Sequence, residues 1–174
     1  MKKKIVIIGF VMPLCMLVQT TIQAQDIKGN NYINAGIGVG TFGFSGTGGL
    51  PITVSFEHGF TDKISAGLGF GFVQRKFTES YKYTYLVFGA RGSYHFNELL
   101  NIQNNKLDTY GGASLFYRHF KLNYDDQNVY KTSGGAIGLG IHIGGRYFFS
   151  ERVGGFAELG YGISPLQLGI SFGL

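Results

Sequence analysis

The chain has 174 residues, with 29 glycines, 3 prolines, 1 cysteine and no tryptophan; aromatic residues make up 16% and charged residues 14%, and the formal charge is +5. That length fits one domain, or one domain behind a removable leader. The glycines follow neither a collagen triplet nor a low-complexity tract, and no helix-turn-helix, zinc-ligand spacing or basic stripe points to nucleic acid.

Met1-Lys2-Lys3-Lys4 followed by the apolar run Ile5–Val18 and the polar exit Thr20–Ala24 predicts a secretory signal peptide over residues 1–24, cleaved after Ala24. The run is short and broken by Pro13, which argues against an anchor helix. Met12-Pro13-Leu14 does not form a lipoprotein processing box before Cys15, so no lipidation is expected there. The mature chain then has no cysteine, and so no disulfide or thiol chemistry. Loss of Lys2, Lys3 and Lys4 lowers the formal charge from +5 to +2, so most of the basicity is an export signal.

From Tyr32 onward the pattern has period two, the mark of β-strands. Strand one, Tyr32–Thr41, alternates Ile33, Ala35, Ile37 and Val39 with Asn34, Gly36, Gly38 and Gly40. A glycine-rich loop, Phe42–Gly49, follows. Strand two, Ile52–Phe60, sets Val54, Phe56 and His58 against Thr53, Ser55 and Glu57. After the tight turn Thr61–Lys63, strand three, Ile64–Gln74, sets Leu68, Phe70 and Phe72 against Gly67, Gly69 and Gly71. Arg75–Ser80 reads as a loop. Strand four, Lys82–Phe96, sets Leu86, Phe88, Ala90 and Tyr94 against Gly89, Arg91, Ser93 and His95. Asn97–Lys106 is polar, with room for a helical turn. Strand five, Leu107–Phe120, sets Ala113, Leu115 and Tyr117 against Gly112, Ser114, Phe116 and Arg118. Lys121–Thr132 reads as a loop. A hairpin of Ala136–Phe149 and Val153–Gly162, joined by Ser150–Arg152, gives strands six and seven. Ile163–Pro165 leads into strand eight, Leu166–Leu174.

In each strand one face is apolar, and the other is glycine, serine or charge. A soluble sandwich buries its apolar face; a membrane barrel turns that face to lipid and keeps small and polar residues in the lumen. Most of the eight strands are about as long as an outer-membrane span requires, roughly 9–11 residues. Aromatic clusters beside the turns, as at Phe56–Phe60, Ala90–Phe96 and Gly145–Phe149, suit an interfacial girdle. The expected fold is therefore all-β: an eight-stranded antiparallel up-and-down transmembrane β-barrel over residues 25–174. Two connections fit the usual asymmetry of short inner turns and long outer loops poorly. Asn97–Lys106 is long for a periplasmic turn, and Ile163–Pro165 is short for an outer loop.

Glu57, Arg91, Arg146 and Glu158 fall on the inward face. They are expected to form a lumenal charge network, with Arg146 paired to Glu158 and Arg91 with Glu57 as a second pair or part of one network, because an unpaired charge in a narrow lumen is costly. His142 also points inward and reads as a hydrogen-bonded filler. His58, His95 and His119 suggest no metal site, and no cofactor is expected. The Gly-x-Gly-x-Gly runs at Gly36–Gly40 and Gly67–Gly71 lie inside strands with no helix after them, so they are not phosphate loops.

The ordered set, above all Arg146-Tyr147-Phe148-Phe149 and Phe156–Gly162, resembles the small outer-membrane β-barrel proteins of Gram-negative bacteria, the porin-like family that includes OmpA, OmpX and OmpW in architecture. The resemblance covers the mature chain and implies location in the outer membrane. Within it, Gln167, Gly169, Phe172 and Leu174 resemble the β-signal read by the barrel-assembly machinery, departing from it in ending on Leu. No His-x-Ser follows the pattern of lipid A deacylases on this scaffold, so an enzyme is not expected. No peptidoglycan-binding domain is expected after the barrel, so that role of OmpA is not implied. Arg75, Lys76, Lys82, Lys121 and Lys131, interleaved with Tyr81, Tyr83, Tyr85, Tyr124 and Tyr130, are placed at the outer rim, where they would meet outer-membrane lipids and lipopolysaccharide; solvated loop charges are the alternative. Asp125 and Asp126 are placed there too, and divalent cations held by them and bridging to the same phosphates are a further alternative. The preferred role is structural or surface-interacting, with a mostly plugged lumen; a narrow channel for small or hydrophobic solutes and a lipid A-modifying enzyme are the alternatives.

Overall fold

The computed structural model describes residues 27–42, 47–78, 81–124 and 132–174. The expected leader, Asp125, Asp126, Tyr130 and Lys131 lie outside these residues. The strands are β1 (Asn31–Val39), β2 (Thr47–Gly48), β3 (Ile52–Gly59), β4 (Ile64–Thr78), β5 (Tyr81–His95), β6 (Leu107–Tyr124), β7 (Thr132–Phe148), β8 (Val153–Gly160) and β9 (Leu166–Gly173), and no helix is found among the described residues. β2 is a short ribbon on the upper end of β4, with Thr47 opposite Lys76. The other eight strands pair antiparallel in chain order, and β1 pairs with β9, which closes the barrel.

The pairing fixes how the barrel closes. The row Arg146, Phe156, Gly169, Gly36, Thr53, Gly71, Val87, Arg118 passes through every other strand and returns to β7 at Ala136. The stagger runs from Arg146 to Ala136, an even number of residues, so inward side chains meet inward side chains all the way round. An eight-stranded barrel of this kind has strands tilted by about 35–45° and an interior just wide enough for side chains.

The alternation sorts the faces as the residue pattern predicts. Ile137, Leu139 and Ile141 are 74%, 74% and 70% exposed, while Glu57, Asp108 and Arg146 are fully buried. Phe60, Tyr94, Tyr147 and Phe149 are exposed on the outer surface near the end that carries the termini, the place of a girdle. The narrow interior also explains particular glycines. A Cβ on Gly67 would lie 1.8 Å from the Phe56 carbonyl oxygen, and one on Gly89 2.1 Å from that of Leu115.

The strand ends differ from the sequence reading. β4 runs to Thr78 and β5 starts at Tyr81, so Arg75 and Lys76 are strand residues; likewise β6 runs to Tyr124 and β7 starts at Thr132. Cross-strand pairing continues through these stretches, with Arg75 opposite Tyr83, Lys82 opposite Asn123 and Lys121 opposite Ser133. β4–β7 are 15, 15, 18 and 17 residues long, against 8 or 9 for β1, β3, β8 and β9. Half the wall therefore rises above the other half. The short β8 and β9 account for the brief Tyr161–Pro165 link, where Gly160 donates to the Pro165 carbonyl at 3.1 Å.

The opposite end carries both termini and the compact turns. Thr61 Oγ1 accepts from the Ile64 amide at 2.9 Å and Ser150 Oγ from the Val153 amide at 3.1 Å. Asn97–Lys106 folds beneath this mouth: Leu100 donates to the Phe96 carbonyl at 2.8 Å, and Asn101 takes a left-handed φ of 52°. Asn97 holds the turn to β6 through the Leu107 carbonyl and the Thr109 amide.

Candidate functional site: the lumenal charge cluster

The four charged residues expected in the lumen meet there in one network that contains the Arg91–Glu57 contact, but Arg146 does not pair with Glu158. Arg146 Nη2 lies 2.9 Å from Glu57 Oε1, and Nη1 lies 2.9 Å from Asp108 Oδ2. Arg91 Nη2 lies 2.7 Å from Glu158 Oε2, and its Nε 3.2 Å from Glu57 Oε1. The expected Arg146–Glu158 pair is replaced because the register sets Arg146 opposite Phe156 and Glu158 opposite Gly144. On its other side Arg146 sits directly opposite Asp108 of β6. Glu57 is thus shared by both guanidinium groups.

Asp108, Tyr110 and His95 complete the cluster and were not assigned from sequence. Extending the inward phase of strand five back from Gly112 gives Tyr110 and Asp108, so the signal was present. The Arg146 guanidinium carbon stands 4.2 Å from the Tyr110 ring centre and 4.8 Å from that of Tyr32, packed against both rings. Its Nε donates to Asn34 at 3.2 Å. Tyr110 Oη donates to Glu158 at 3.1 Å. His95 Nδ1 is 2.7 Å from Asp108 Oδ1, and its Nε2 is 2.9 Å from Ser65 Oγ, which in turn donates to Glu57 Oε2 at 2.7 Å. His142, inward as expected, bonds through Nε2 with Ser93 at 2.9 Å.

Apolar layers lie on both sides of the charges. Ile27, Tyr32 and Phe148 pack toward the terminal end, and Val73, Tyr85, Val87, Phe116 and Ile163 pack toward the other. A cavity of about 90 Å³ remains beside Arg91, Glu158 and His142. A larger pocket of about 480 Å³ opens at the terminal mouth, lined by His95, Asp108 and the amide-rich turn Asn97–Asn105. The charge cluster is the partition between these two spaces. No group of metal-ligating side chains occurs among the described residues.

The other sequence-predicted residues separate by face. Gln167 and Gly169 point inward on β9, with Gln167 donating to Glu158 at 3.4 Å, whereas Phe172 and Leu174 are exposed on the outer surface. A Cβ on Gly169 would fall 2.2 Å from the Ala35 carbonyl oxygen, so the closing β1–β9 seam needs glycine there. Lys76, Lys82 and Lys121 stand on the outward face, as the phase of β4, β5 and β6 requires. Arg75 is one residue out of that phase and is turned inward, with Nε donating to the Gly49 carbonyl at 3.2 Å. Tyr83 and Tyr85, expected at the rim, are buried in the lumen at 4% exposure each. They share the inward phase of Arg91 because β5 is regular up to Tyr81.

A closed barrel of eight antiparallel strands, apolar outside and charged within, is a membrane-spanning β-barrel. The chain belongs to the family described as outer membrane protein beta-barrel domain, which it matches over residues 10–170. Solved structures agree on the fold. The N-terminal β-barrel domain of Pseudomonas aeruginosa OprF aligns with a TM-score of 0.60 at 17% identity, over 84% of this chain and 98% of that one. The outer membrane protein OprG of Pseudomonas aeruginosa aligns with a TM-score of 0.62 at 13% identity, over 87% and 99%. Ail, the attachment invasion locus protein of Yersinia pestis, aligns with a TM-score of 0.55 at 16% identity, over 84% and 99%. No curated protein matches the chain.

Proposed function

We propose that this outer-membrane barrel is a structural or surface-interacting protein with a sealed lumen, neither an open pore nor an enzyme. One observation carries the reading: two guanidinium groups and three carboxylates interlock between two apolar layers. Arg91 and Arg146 meet Glu57, Asp108 and Glu158, and His95 bonds to Asp108.

Glu57 lies against two guanidinium groups and accepts from the Ser65 hydroxyl, and His95 bridges Ser65 and Asp108. Ser65, His95 and Asp108 have the spacing of a hydrolase triad, but Ser65 is fully buried and its hydroxyl is turned to Glu57.

The cavity beside Arg91 and Glu158 supports a second reading, a narrow conduit that opens when the cluster parts. Liposome swelling distinguishes the two. Vesicles carrying the folded protein should swell in small sugars and amino acids no faster than empty ones, and size-selective swelling would favour the conduit. Lipid A mass spectra unchanged by expression are expected, and a mass shift that requires Ser65 would establish an enzyme.

A further inference from the structure

We propose that Leu99 and Leu100, on the turn that joins β5 to β6, seat in the phospholipid leaflet at the end of the barrel that carries the termini, as an apolar foot beside the lumen mouth. The proposal rests on the chain spanning a membrane as a barrel and is independent of whether the lumen is sealed.

The turn is two-sided. The Leu100 amide donates to the Phe96 carbonyl at 2.8 Å, four residues back, which gives Phe96–Leu100 helical spacing. At about 100° per residue, Phe96, Leu99 and Leu100 fall on one side and Asn97 and Glu98 on the other. The polar side faces the lumen, because Asn97 and Glu98 line the mouth pocket, as does Asn101 after them. The apolar side faces outward. Phe96 continues the outward phase of Tyr94, and the two ring centres stand 5.5 Å apart. A Cβ on Gly111, which shares the outward phase of Ala113 and Leu115 on β6, would lie 3.0 Å from the Phe96 ring. Leu100 shares the face of Phe96, since residues four apart on a helical turn are neighbours. Leu99 and Leu100 are 71% and 60% exposed.

The turn is pinned so that it cannot roll the leucines under the mouth. Asn97 bonds to both the Leu107 carbonyl and the Thr109 amide, and Glu98 pairs with Lys63 of the β3–β4 turn at 3.0 Å. The leucines also have apolar company on the outer surface. Phe60, Ile64 and Tyr94 are exposed at the same end, and Ile64 and Tyr94 are direct cross-strand partners. Leu99 and Leu100 thus continue the lipid-facing belt past the ends of the strands. Single exposed apolar residues need no explanation, but a continuous patch marks a contact surface. Attachment of such a patch to a bilayer grows with the apolar area it buries. Seating the leucines in lipid also holds the amide side of the same turn over the lumen mouth.

The test is fluorescence quenching by lipid. In a Cys15→Ser background, which removes the chain's one cysteine, Leu99→Cys, Leu100→Cys, Gln103→Cys and Leu139→Cys each supply a single thiol for an environment-sensitive fluorophore. Each labelled variant that keeps its folded gel mobility is placed in phosphatidylcholine vesicles with and without bromine on the acyl chains. Labels replacing Leu99 and Leu100 should lose most of their emission in the brominated lipid, as should the label replacing Leu139 on the lipid-facing belt. The label replacing Gln103, on the pocket side of the same turn, should lose little. Strong loss at the Leu139 site with loss at the two leucine sites no greater than at the Gln103 site would overturn the proposal and leave the leucines to a soluble partner. Weak lipid quenching with strong self-quenching between labels at the Leu100 site would overturn it too, and would assign the face to a second copy of the chain. Weak loss at the Leu139 site as well would overturn the membrane barrel itself, and the proposal with it.

Discussion

Arg146→Ala tests the ion cluster at its centre. The substitution removes a fully buried guanidinium that touches Glu57, Asp108 and Asn34 and lies against two tyrosine rings. Removing one member of a buried ion pair costs about 3–5 kcal/mol, because the other charge is left behind. Two carboxylates are affected here, yet the figure does not double. Glu57 keeps Arg91 at 3.2 Å and Asp108 keeps His95 at 2.7 Å. With a urea slope of about 2 kcal/mol/M, the unfolding midpoint in lipid vesicles should fall by roughly 2 M. Pairing the change with Asp108→Asn, which takes away one of the two carboxylates that lose the guanidinium, should recover part of the loss, so the two substitutions should not add. The readout is the folded fraction on unheated gels. A midpoint shift equivalent to less than about 1 kcal/mol, the size seen for exposed pairs, would refute the reasoning, as would strict additivity of the double variant.

Further outcomes follow from other parts of the molecule. The unheated protein should migrate apart from the boiled form on SDS gels, and equal mobility with solubility free of detergent would contradict a membrane barrel. Phe172→Ala or Leu174→Asp should lower outer-membrane levels more than Gln103→Ala in the exposed turn; normal levels in both would remove the assembly-signal role of β9. Gly67→Ala, whose methyl would collide with the Phe56 backbone, should cost at least about 1–3 kcal/mol, measured by the same urea titration. The intact mass of the exported protein should match cleavage after Ala24.

Much of the barrel is legible in the residues because the signal is local. Ile137, Leu139, Ile141 and Ile143 against Gly138, Gly140, His142 and Gly144 state both the strand and its faces, and the same phase places Arg91, Arg146, Glu57 and Glu158 inside. Partner choice is not local. Arg146 meets Glu57 across the lumen because the strands are staggered as the barrel closes, and no spacing within one hairpin encodes that stagger. The rim is ambiguous in the sequence for a different reason. Lys, Thr and Tyr around Arg75–Tyr85 suit both a polar loop and a strand that has left the membrane. Once the strand continues, its alternation separates Lys76 and Lys82 from Arg75, Tyr83 and Tyr85. Asp108 lies within reach of the period-two rule, because the inward phase of Gly112 extends back through Tyr110 to it.

The central claim is that paired charges close the lumen, and current across a planar lipid bilayer tests it most directly. The folded protein should insert without producing steady conductance steps. Reproducible steps from the wild-type protein, with unitary conductance scaling with salt, would contradict a sealed barrel.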